Sequence, residues 1–184
     1  MKSRVVLACV LFLILAGTAA FGPRAGRSTF SAYVDPEGRI SLPRDVRRHW
    51  VHLGSYVVSE AGAPGQGFHD VYTPSAVAAA YRETGHFPDG AVLVKEIRKL
   101  GTGSMTTGAA TWATEPMQYF VMVKDEKGRF PNNPNWGGGW GWALFKPDAL
   151  GVNVSKNWAT DCQACHVPAQ KTDWVFIAGY PTLR

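Results

Sequence analysis

The sequence predicts one domain of mixed structure, with short strands joined by turns and a few short helices. Four observations point there. The 184 residues include 20 Gly and 12 Pro, a content of breakers that argues against a helical bundle. Seven Trp, six Tyr and nine Phe supply large apolar groups for a core. With 46% hydrophobic and 18% charged residues, this composition excludes intrinsic disorder. Finally, turn signals fall at short intervals between brief apolar segments, and no long helical pattern runs between them.

Taken in order, residues 32–42 form a short extended segment turning at Asp35-Pro36-Glu37-Gly38. Asp45 to His52 suits a short helix and Tyr56-Val57-Val58 a strand; Ala61 to Gly65 is a loop. Phe68 to Tyr72 is extended, and Thr73-Pro74 announces a helix through Ala76 to Glu83, with Gly85 just past its end. Strands follow over Ala91 to Ile97, Met105 to Trp112 and Tyr119 to Lys124, with a turn at Asp125 to Gly128. Asn132 to Gly139 is irregular, and Trp140 to Phe145 alternates like a strand. There is no internal repeat and no linker between domains.

The first twenty residues read as an address rather than as structure. Met1-Lys2-Ser3-Arg4 is basic, Val5 to Ala16 is apolar, and Gly17-Thr18-Ala19-Ala20 suits a signal peptidase. Cleavage after Ala20 leaves residues 21–39 as an N-terminal extension and 40–184 as the domain. A stable membrane insertion is then not expected, and the destination is the periplasm. Cleavage removes Lys2, Arg4 and no acid, so the formal charge of +5 becomes +3. The remaining basic residues are scattered; Arg44 to Arg48 is the one cluster, which is not a nucleic-acid footprint.

Cleavage also removes Cys9, leaving Cys162 and Cys165. Residues 162–166 read Cys-Gln-Ala-Cys-His, the CxxCH pattern of c-type haem attachment. The spacing follows from the chemistry. Two thiols must reach two vinyl groups on one porphyrin edge, and the next residue must bring an imidazole to the iron, so His166 is the proximal ligand. A thioredoxin-type disulfide would need a βαβ unit, and a zinc site a second pair of ligands. One covalently attached haem c is therefore expected. The motif lies near the C-terminus, unlike its place in small electron-transfer cytochromes.

Several stretches together resemble the cytochrome P-460 and cytochrome c′-beta family. They are Asp89 to Glu96, Tyr119 to Phe130, Cys162 to His166, Thr172 to Phe176, and Tyr180-Pro181. The resemblance runs from about Ile40 to Leu183. It implies an α+β fold with an antiparallel β-sheet, a homodimer, and one pentacoordinate haem c. In P-460 members a lysine is bonded to a haem meso carbon and hydroxylamine is oxidised. The c′-beta members lack that bond and bind nitric oxide or carbon monoxide.

Lys95 matches the cross-linking lysine. Period two puts it on one strand face with Ala91, Leu93 and Ile97, an apolar set where a charge is costly unless paired, modified or reaching solvent. The resemblance implies two departures on the distal side. Hydroxylamine-oxidising members carry an arginine before the first long helix, where this chain has His69. They carry a carboxylate on the strand where this chain places Phe120. His69 is a candidate base, since imidazole titrates near neutrality, and equally a core histidine. Phe120 offers no hydrogen bond and suits uncharged diatomic ligands.

Met105, Met117 and Met122 are more readily core residues than distal ligands, and His49, His52 and His86 have no ligand-like spacing. Trp136, Trp140 and Trp142 suggest a packed wall. Asp173 is placed to bond the proximal imidazole, to orient its turn or simply to cap it. Two functions are expected from these residues: oxidation of a small nitrogenous substrate, with electrons passing to a soluble partner such as another cytochrome, or ligand capture without turnover.

Overall fold

β-branched and aromatic residues fill six segments of the chain, and the computed structural model, which describes residues 30–184, pairs them into one antiparallel sheet. The strands are β1 (Val51–Val58), β2 (Gly67–Thr73), β3 (Val92–Met105), β4 (Gly108–Lys124), β5 (Trp136–Gly137) and β6 (Trp140–Phe145). Their order is β1-β2-β3-β4-β6-β5. The helices are short: α1 (Val46–His49), α2 (Ser75–Thr84), α3 (Trp158–Asp161) and α4 (Gln163–His166), followed by three 3-10 turns between Val167 and Leu183. The fold is thus α+β with an antiparallel sheet, as expected. The expected signal segment and its cleavage after Ala20 lie outside the described residues.

The sheet buries both faces because its strands alternate between two apolar sets. Tyr72, Val92, Val94, Val121, Val123 and Phe145 belong to one core, which α1 and the segment from Phe30 to Leu42 cover. That segment, expected as an extension, bridges Val34 to Ile40, and its Gly38 carbonyl accepts from Trp136 Nε1 at 2.8 Å. Arg47 of α1 reaches Asp70 at 2.6 Å and Glu96 at 2.7 Å, which fixes the helix across β2 and β3. The other face carries Val71, Leu93, Trp140 and Trp142, and packs on α2 and the C-terminal segment through Phe87, Trp174 and Tyr180.

Helix α2 has the expected limits: Pro74 precedes it and Gly85 ends it at φ 75°, a left-handed cap that glycine reaches without steric cost. Just beyond, Phe87 is fully buried, with its ring 4.4 Å from Tyr81 and 5.6 Å from Trp140. Phe87→Ala should cost about 3–5 kcal/mol. Denaturant melting would show this as a lower midpoint at an unchanged slope; an unmoved midpoint would refute it.

One expected strand is corrected. Met105 to Trp112 is not a separate strand but spans a hairpin turn, since Met105 pairs with Gly108 and Gly101 with Trp112. β3 and β4 run on beyond the sheet as a two-stranded ribbon. Gly101 and Gly103 lack side chains to announce a strand. The Trp112 indole covers them instead, so a Cβ on Gly103 would lie 3.0 Å from it. β1 also begins earlier than expected, because a bulge between His52 and Gly54 breaks its alternation.

Candidate functional site

Period-two alternation sends Lys95 of β3 toward the same side as Leu93 and Ile97. The strand register then sets its neighbours: Val71 and Phe120 lie opposite Lys95, and His69 opposite Ile97. This row of side chains floors a cavity of about 350 Å3 whose far wall is α3 and α4. His69, Lys95, Phe120, Cys162, Cys165 and His166 all line it. Residues nearly a hundred positions apart are thereby brought together.

The Cys-bearing wall is shaped by local hydrogen bonds. The Asn157 side chain accepts from the Ala159 amide at 2.9 Å and so caps α3. Asp161 Oδ2 accepts from the amides of Lys156 and Asn157 at 2.8 and 3.2 Å. These bonds hold its carboxyl down at about 2 and pin the start of the motif. Cys162 and Cys165 are both free thiols, three residues apart across a turn. Burial pushes the Cys162 thiol up to about 11.

His166 is oriented by its backbone partner. Its Nδ1 lies 2.7 Å from the Trp174 carbonyl; a carbonyl only accepts, so Nδ1 carries the hydrogen and Nε2 keeps a free lone pair. Burial pushes the imidazole down to about 4, so the ring is neutral. Trp142 meets it edge-on at 4.7 Å, and Phe176 lies 5.7 Å away. The carbonyl comes from a strained turn: Asp173 and Trp174 have φ 58° and 65°, each at a cost of about 1–3 kcal/mol for a residue other than glycine. Asp173 does not touch the imidazole. Its Oδ1 accepts from Lys124 Nζ at 2.6 Å and Trp140 Nε1 at 3.2 Å, so it orients the turn.

On the opposite side, His69 is 3% exposed. Its Nε2 donates to the Gly65 carbonyl at 2.6 Å, and its Nδ1 has no hydrogen-bond partner. The ring stacks on Tyr56 at 4.5 Å. Burial lowers its pKa, and the nearby Lys95 charge acts the same way. Lys95 Nζ sits 4.5 Å above the Phe120 ring. No carboxylate is among the charges acting on it, and burial pushes the ammonium down to about 8.

The remaining candidates separate cleanly. Met105 is 55% exposed at the hairpin tip, whereas Met122 lines the cavity. His49 and His86 are exposed, and His52 bonds Ser55 at 2.9 Å. Trp142 lines the cavity, Trp140 is buried behind it, and Trp136 packs on Phe130 outside it. Tyr56, Tyr180 and Lys124 were not singled out by sequence. For Tyr56, alternation on β1 opposite His69 was the available signal; for the Trp174 carbonyl there was none.

The donor set fits a covalently held haem. Two free thiols and a neutral imidazole with an open Nε2 converge on one largely apolar slot. Among the described residues no group of three or more His, Cys, Asp or Glu could hold a bare metal ion. No helix among them is long and apolar enough to cross a membrane. The family model described as Cytochrome P460 matches residues 43–177, a span that contains all six of these cavity residues. No curated protein matches the chain.

Proposed function

The chain belongs to the cytochrome P460 family, whose members bind c-type haem covalently, and from that premise we propose that it oxidises hydroxylamine or a related small nitrogen species. Cys162 and Cys165 would tether haem c and His166 would ligate it, and the group would supply redox chemistry toward a small nitrogenous molecule. The residues of the chain do the rest. Trp174 holds the His166 hydrogen on Nδ1, the apolar walls exclude water, and His69 Nδ1 takes a proton as electrons leave the substrate. The reading includes export to the periplasm, a soluble electron acceptor such as another cytochrome, and a homodimer.

Lys95 carries this reading. A half-buried ammonium facing a largely apolar cavity, with no carboxylate among the described residues in ion-pair reach, is unfavourable, and burial brings its pKa to about 8, so free amine is present near neutrality. A bond from Nζ to a haem meso carbon removes the charge altogether. Such a bond would replace one N–H and one C–H bond, and the two electrons and two protons released would have to go to a two-electron oxidant such as a peroxide, which would become two waters. The reduced protein should then show a Soret band well to the red of ordinary ferrous haem c. Lys95→Met should return the band to the ordinary position and leave the haem peptide without the added link by mass. An ordinary band in the unaltered protein would overturn the cross-link.

Phe120 supports the second reading. An apolar ring stands where a carboxylate would serve as proton acceptor, and it favours uncharged ligands such as nitric oxide or carbon monoxide. If hydroxylamine leaves the protein's acceptor unreduced while nitric oxide binds, capture without turnover is the function.

A further inference from the structure

We propose that the Lys124–Asp173 ion pair is a positioning device for the axial imidazole: it holds the Trp174 carbonyl on His166 Nδ1 and so sets how strongly the imidazole donates to iron. The proposal rests on His166 being the iron ligand, as in the reading above. Neither Lys124 nor Asp173 lines the cavity, so both act through the turn that links them to the ring.

Three sets of contacts make the device. Lys124 ends β4 and is held by its backbone: it pairs with Trp140, its amide donates to the Ala91 carbonyl at 2.8 Å, and its carbonyl accepts from Gly90 at 2.9 Å. From this fixed point its ammonium reaches Asp173 at 2.6 Å, with only 12% and 17% of the two side chains exposed. Trp140, on the neighbouring strand, donates to the same carboxylate oxygen. The sheet therefore grips Asp173 with two donors in a poorly screened site.

Asp173 and Trp174 both occupy the left-handed region, which a residue with a Cβ leaves unless its surroundings fix it. The Trp174 amide donates to Ala169 at 2.8 Å. Its indole stands edge-on to Trp158 at 5.6 Å and lies against Gly138, where a Cβ would come within 2.9 Å. The Val175 amide, in the same peptide plane as the Trp174 carbonyl, donates to the Thr172 carbonyl at 3.2 Å. With the indole and both amides held, the grip on Asp173 adds the restraint that ties this turn, and so the carbonyl, to the sheet. A carbonyl close to Nδ1–H draws the proton and makes the imidazole more electron-rich, which favours ferric iron. A slack turn would do the reverse.

The test is made on the haem-loaded full chain, by resonance Raman of the ferrous protein and by redox titration. Lys124→Met should lower the iron–imidazole stretching frequency. It should also weaken ferric relative to ferrous haem about tenfold, a rise of about 59 mV for a one-electron couple. Lys124→Arg, which keeps the charge, should recover most of both. Asp173→Asn retains an acceptor for Trp140 and tolerance of the left-handed region, and should shift both readouts in the same direction. It carries the test if Lys124→Met does not fold. The double variant should shift no further than the larger single one, because the pair acts as a unit. If both single variants melt earlier yet keep the native frequency and potential, the pair is only structural and the proposal fails. An unaltered protein with no iron–imidazole band would instead remove His166 as ligand, and the proposal with it.

Discussion

Changing Cys162 and Cys165 together to alanine is expected to yield a chain that holds no haem after denaturation. Both thiols are free and line the same slot as His166, and no other cysteine follows Cys9 in the sequence. Haem staining of a denaturing gel reads the result directly: a full signal for the unaltered protein, a retained signal for either single variant through its one remaining thioether, and none for the double. A haem-stained double variant would sink the assignment of the attachment site. The variant should also be less stable, because a slot of about 350 Å3 with largely apolar walls loses the group that fills it, and the thermal midpoint should fall.

The attachment motif was legible because its chemistry is local: five consecutive residues contain the whole requirement. Helix α2 was legible for the same reason, with Pro74 and Gly85 marking its ends. The row of Lys95, Phe120 and His69 was only half legible. Period two put Lys95 on an apolar face, but which strands stand beside it is a matter of register between β2, β3 and β4, which spacing within one strand does not encode. The ribbon of β3 and β4 was missed because Gly101, Gly103 and Gly108 read as breakers. Only cross-strand pairing and the Trp112 indole make them strand residues. The Trp174 carbonyl was beyond reach for a different reason: a backbone acceptor has no sequence identity, and its direction depends on two left-handed residues and a lysine some fifty positions away.

Removal of the His69 base should slow hydroxylamine oxidation by about 10²–10⁴-fold, the range for a positioned proton acceptor. His69→Ala opens space beside Tyr56, so His69→Phe is the informative partner: it keeps an aromatic ring against Tyr56 and removes only the nitrogens. Both should lose turnover while binding nitric oxide; turnover within twofold of the unaltered protein in both would remove His69 from the reaction. The pH profile gives a second readout. Burial lowers the pKa of His69 from its ordinary value of 6.5, so the neutral ring, with Nε2–H on Gly65 and Nδ1 buried without a hydrogen-bond partner, is the form present at pH 7. The rate should stay level from neutrality upward and fall as pH drops through that lowered value, a limb the variants lack. Stability follows the same sign. Below 6.5 the unfolded chain binds a proton that the folded chain still refuses, so stability falls as pH falls through the window between the two values. If His69 serves only packing, His69→Phe loses the pH dependence of stability and keeps the rate; if it is the base, both go together.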